Sequence, residues 1–175
     1  SQFNYKAFGT SSIMIGDTTT GTISAANYNV GLGIDVFAAL TGGDGNVAVG
    51  FAALTANTTG ADNVAIGRSS MAAATTADQT ISIGHIAGAA LTTGDYNTFI
   101  GGGAGTATTT ASSNVAIGNG SFYGNTTGAS NTAVGTNSLG ANTTGADNTA
   151  VGKDAMLANT TAGSNTAVGK SALAS

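Results

Sequence analysis

The chain has no cysteine, no proline and no tryptophan, and only 7% of its 175 residues are charged. Without cysteine there is no disulfide framework and no thiolate chemistry, so a fold exposed to an oxidising exterior must hold itself together by repetition. Four basic residues, Lys6, Arg68, Lys153 and Lys170, within a net charge of −4, leave no cationic footprint for nucleic acid or anionic lipid. Apolar runs are broken well short of the roughly 20 residues that span a bilayer, which argues against membrane insertion, and no charged start precedes an apolar signal segment. His85 is the single histidine, which excludes a multi-histidine metal site within one chain. The scattered acidic residues fit neither a calcium nonapeptide nor an EF-hand. Gly101, Gly102, Gly103 and Gly105 lack the lysine and the following helix of a phosphate loop. No catalytic, cofactor-binding or metal residue is assigned, and the expectation is a non-enzymatic protein without cofactors.

What the chain has in abundance is glycine, with 28 residues. Ten of them, Gly16, Gly33, Gly50, Gly67, Gly84, Gly101, Gly118, Gly135, Gly152 and Gly169, stand at an unbroken spacing of 17. A unit this short cannot enclose a core alone and must bury its apolar side against the copies before and after it, which is the signature of a solenoid. The unit reads Asn-Thr/Val-Ala-Val/Ile-Gly, then a stretch with one large apolar residue, then Asn-Thr-Thr-Gly. Alternation such as Val47-Ala48-Val49 is that of a strand, and β-branching with frequent glycine disfavours a helix. These features predict an all-β, parallel β-solenoid of about ten coils over residues 12–175, each coil with two or three short strands, preceded by an aromatic-rich segment at 1–11.

The residue before each glycine is always aliphatic, and Val49, Ile66, Ile83, Ile100, Ile117, Val134, Val151 and Val168 are expected to point inward as the structural core. The intervening alanines, such as Ala116, Ala133 and Ala150, then face outward, smooth enough to pack against another chain. A second inward column is Phe37, Leu54, Met71, Phe122, Leu139, Met156 and Leu173; it fails at Gly88 and Gly105, so packing should be thinnest near 101–113. Asn46, Asn63, Asn97, Asn114, Asn131, Asn148 and Asn165 form a candidate turn ladder, since stacked amides can hydrogen-bond along a column. Phe3, Tyr5 and Phe8 are placed to cap the first coil, and with Leu173 they are candidate subunit contacts. The chain stops partway through a unit at Ser175, which leads to the expectation of a longer fibre or an end covered by another subunit.

The copies at 131–147 and 148–164 resemble repeats of bacteriophage tail-fibre-like and bacterial surface proteins, and the Val-Ala-Ile-Gly segments at 64–67 and 115–118 are similar to the head repeats of trimeric autotransporter adhesins. Adhesin heads usually have a shorter unit. The resemblance implies a left-handed parallel β-roll, associated as three chains, in an extracellular, cell-surface or virion fibre. The resulting expectation is a structural or adhesive fibre segment whose partners are itself, as a homotrimer, and a cell-surface receptor or glycan. Two alternatives remain open. One is a self-assembling head-to-tail extracellular filament, and the other an ice-binding solenoid using the threonine pairs Thr58/Thr59 to Thr160/Thr161. Adjacent strand residues point to opposite faces, so each pair offers ice only one threonine per coil on a face.

Overall fold

The computed structural model describes residues 25–175 in full and, nearer the N-terminus, the strands at 5–8 and 12–16. It is all-β: one eleven-stranded sheet whose strands follow chain order, with no helix among the described residues. β1 (Tyr5–Phe8) runs antiparallel to β2 (Ser12–Gly16), pairing Tyr5 with Ile15 and Phe8 with Ser12, so it lies along the first edge of the parallel array. The rest are parallel: β3 (Val30–Gly33), β4 (Val47–Val49), β5 (Val64–Ile66), β6 (Ile81–Ile83), β7 (Thr98–Ile100), β8 (Val115–Ile117), β9 (Thr132–Val134), β10 (Thr149–Val151) and β11 (Thr166–Val168). Each residue pairs with its equivalent one unit along, as Ala48 with Ala65 and Ala133 with Ala150. The chain is therefore a parallel β-solenoid of about eight coils of about 17 residues, rather than ten.

Each coil from β4 to β11 holds one three-residue strand, not two or three strands. The rest of the circuit consists of turns, yet it too is hydrogen-bonded from coil to coil. After the repeat glycine every second residue takes left-handed φ, as at Ala52 (55°) and Leu54 (49°), or Asn137 (55°) and Leu139 (49°). This turns alternate N–H groups toward opposite neighbours: Ala52 donates back to Ile34 O at 2.9 Å, and Leu54 donates forward to Ser70 O at 3.2 Å. A left-handed non-glycine residue costs about 1–2 kcal/mol, which is offset by pairing backbone groups that a buried turn would otherwise leave unsatisfied.

The repeat glycines have a steric reason. Gly118 has φ +134°, and a Cβ built on it would stand 2.6 Å from the carbonyl carbon and oxygen of Gly135 in the next coil. Neighbouring backbones pass too closely here for any side chain.

The interior is narrow. Ala48, Ala65, Ala116, Ala133 and Ala150 on the strands are fully buried, and opposite them lie the left-handed residues Phe37, Leu54, Met71, Phe122, Leu139 and Met156. This reverses the expected strand orientation. Ile66, Ile83 and Ile117 are 36–37% exposed and Val168 is 70% exposed, while Val49, Ile100, Val134 and Val151 are half-buried; this column lines the outside. The left-handed column already supplies the bulk, leaving the facing strand position room for little more than a methyl group.

The expected weak point is filled. Gly88 and Gly105 lack large side chains, and Phe99, in the alanine column between them, is fully buried in their place. A Cβ on Gly105 would come within 2.6 Å of the Phe99 ring, and one on Gly88 within 2.8 Å. Leu91 is also fully buried.

Gly118→Ala should lower stability by about 2–4 kcal/mol, from positive φ plus a backbone clash. Gly42→Ala, where the nearest atom is 4.0 Å from the added Cβ, should be neutral or slightly stabilising; urea denaturation compares the two. Phe99→Ala should cost about 3–5 kcal/mol. Adding Gly105→Leu should restore part of that loss, because leucine at this column already tolerates the same φ; a double-mutant cycle checks the coupling.

Candidate functional site

Turning the alanines inward sets two columns of larger side chains on the outer face of the sheet. Strand by strand they are Val47/Val49, Val64/Ile66, Ile81/Ile83, Thr98/Ile100, Val115/Ile117, Thr132/Val134 and Thr149/Val151. Columns two residues apart are about 6.6 Å from each other, and rungs about 4.8 Å. The surface is thus a regular grid of β-branched side chains with no charge on it. At one end it continues into Val30 and Leu32, and exposed Ile34 and Phe51 border it. Aliphatic side chains in contiguous exposed rows mark an interaction surface in a way that scattered ones do not.

The rungs are held in register by the asparagine immediately before each strand. Asn63 Nδ2 donates to Asn46 Oδ1 at 3.0 Å and Asn114 Nδ2 to Asn97 Oδ1 at 3.2 Å, with the same contact from Asn46 to Asn29, Asn131 to Asn114 and Asn165 to Asn148. The same Oδ1 also accepts the next asparagine's backbone N–H, as Asn131 N to Asn114 Oδ1 at 2.9 Å and Asn148 N to Asn131 Oδ1 at 3.0 Å. The amide additionally ties the strand to the far corner, Asn46 to Gly60 O and Asn97 to Ala111 O, both at 2.9 Å. Thr80 interrupts the ladder, and its hydroxyl takes over as acceptor for Asn97 N at 3.2 Å.

A second buried asparagine set, Asn57, Asn125 and Asn142, was not singled out from the sequence. Asn57 Oδ1 accepts Gly60 N at 3.1 Å and its Nδ2 donates to Gly60 O at 2.9 Å, which closes the turn. The available signal was the recurring Asn-Thr-Thr-Gly spacing of an Asx turn. The first threonine of each pair is committed to structure: Thr58 Oγ1 donates to Thr75 O at 3.0 Å, and Thr109 Oγ1 to Thr126 O at 3.1 Å. The second, as at Thr59, Thr76 and Thr93, is exposed.

The proposed subunit contacts are not brought together among the described residues. Phe3 lies outside them, Tyr5 and Phe8 are described by their backbone alone, and Leu173 is 61% exposed on the last coil. Acidic side chains serve as turn acceptors: Asp78 Oδ1 takes Ala61 N at 2.7 Å and Asp95 Oδ1 takes Asp78 N at 2.8 Å. His85 is exposed, and the Arg68 guanidinium donates to its Nε2 at 2.5 Å. Asp154 is held below the ordinary carboxylate range by its hydrogen bond with Lys153, against some desolvation, with help from Asn137. Among the described residues no three histidine, cysteine or acidic side chains are grouped to hold a metal ion, and no helix is long and apolar enough to cross a membrane.

No protein-family model, no curated protein and no solved structure matches the chain. The class, a parallel β-solenoid repeat protein, therefore rests on its own geometry.

Replacing Asn114 by alanine leaves the buried Asn131 backbone N–H without its acceptor, while Asn131 Nδ2 keeps Gly145 O and Ala129 O, and should cost about 1–3 kcal/mol. Asn114→Thr, which copies the natural substitution at Thr80, should lose less. Chemical denaturation of the two variants measures the difference.

Proposed function

We propose that the chain is a non-enzymatic structural segment of an extracellular or virion-associated fibre, and that copies associate side by side through the outer face of the sheet. The observation that carries this reading is the uninterrupted Val/Ile/Thr grid on β4–β10. Its natural occupant is another copy of the same grid. Two such faces share one repeat distance, so every rung finds an equivalent partner, and neither contributes a charge to be desolvated. Burying this face removes apolar area at about 25 cal/mol per Å². Resemblance to trimeric adhesin heads and tail fibres supports three chains and an exterior location. Such a rod works by presenting many equivalent surfaces at fixed spacing, so that weak contacts add up to firm attachment.

A second reading, ice binding, draws on the same flat grid, because two outward columns per coil are what an ice plane requires. Its aliphatic composition and the charge-free self-complementarity favour association with another chain.

Sedimentation velocity should show the native chain associated, as the trimer that the resemblance implies or as the dimer that face-to-face pairing of two grids gives. Ile66→Lys, Ile83→Lys and Ile117→Lys combined should yield monomers with an unchanged circular dichroism spectrum, since all three side chains point outward. A native chain that is monomeric at about 100 μM, far above any useful Kd, would sink the association. Thermal hysteresis of that monomer, abolished by the lysines, would establish the ice-binding reading instead.

A further inference from the structure

A groove of about 790 Å³ runs across several coils away from the sheet, between the column that follows each repeat glycine and the column three or four residues further on. Four glycines line it, Gly102, Gly103, Gly120 and Gly140, and leave room that side chains would fill. Elsewhere the first of these columns carries Phe51, Arg68 or Lys153. Tyr123 stands in the groove with 54% of its surface exposed. Its ring lies against Gly103, where a Cβ would be in ordinary contact with the ring at 3.6 Å.

Besides the His85 imidazole, which accepts from the Arg68 guanidinium, the polar side chains lining the groove are the amides of Asn119 and Asn137. Asn119 donates from Nδ2 to Gly102 O at 3.2 Å and keeps Oδ1 free. Asn137 donates from Nδ2 to Asp154 at 3.3 Å, and its Oδ1 lies against Gly120, where an added Cβ would be 2.8 Å away. Leu157 and Ile86 supply apolar walls, and neither an acidic nor a lysine or arginine side chain lines the groove.

We infer that this groove binds a neutral saccharide chain. A sugar ring has an apolar C–H face, which stacks on an exposed aromatic face, and a rim of hydroxyls, which donate to amide oxygens and accept from amide N–H groups. An elongated cleft open along the rod admits several sugar units. A lining without an acidic, lysine or arginine side chain gives a sulfated or carboxylated glycan little to favour it over a neutral one. The inference deepens the adhesive part of the proposed function by naming the ligand class and where it sits. It does not use the sheet face, so failure of the trimer leaves it untouched.

The repeat itself supplies well-folded variants. Equivalents of Tyr123 in other coils are Ala72 and Ala89, and equivalents of Asn119 include Phe51 and Thr136. Isothermal titration of the full chain with cellohexaose, maltohexaose, chitohexaose and mannohexaose should give binding by at least one. Tyr123→Ala should weaken it about tenfold or more, and Asn119→Leu by less. Tyr96→Ala, which removes an exposed tyrosine outside the groove, should leave it unchanged. No binding of any of the four at about 1 mM, binding indifferent to Tyr123→Ala, or binding of a heparin hexasaccharide alone would each overturn the inference.

Discussion

Everything in this molecule follows from the distance at which one backbone lies on the next. Parallel rungs sit about 4.8 Å apart, and at the repeat glycines from Gly33 to Gly152 the approach to the next coil leaves no space even for a Cβ. That contact lets the whole circuit, not only the three-residue strand, share hydrogen bonds between coils. It also explains why no glycine in the series is replaced, and why so many ordinary residues accept left-handed φ. Each pays a local conformational cost so that its N–H can reach a neighbouring coil.

A small cross-section has a second consequence. In most coils the interior holds one large side chain delivered from the left-handed column, with a methyl group facing it across the lumen, and the coil of Phe37 also buries Val36 and Leu40. Where the large residue is missing, at Gly88 and Gly105, the strand answers with Phe99, which is fully buried. The strand's larger residues are thereby displaced to the surface. The same packing rule that makes the core thin leaves the outer face of the sheet apolar, and the proposed association through that face is its continuation. The asparagine ladder joins the two, since it sets the height of each rung and so the regularity of the grid.

The proposed fibre role draws on two separate grounds, the resemblance to fibre repeats and the geometry of the sheet face. One rests on residue pattern, the other on where side chains point. The groove at Tyr123 differs in kind, because it arises from departures from the repeat. Glycines stand there where other coils carry side chains, and a tyrosine where others carry alanine, threonine, glycine or leucine.

The sequence by itself determined the fold class, the length of the unit and the positions of the ladder asparagines, because a strict period forces equivalent residues to stack. It did not determine which side of the strand faces inward. Alternation of alanine with valine or isoleucine is symmetric under a one-residue flip, and hydrophobicity alone favours burying the larger set. Only the tertiary structure decided the matter, through the volume left inside once the left-handed column had delivered its side chains. The compensation of Gly88 and Gly105 by Phe99 was hidden for the same reason: those residues belong to different columns, and they meet only when the circuit closes.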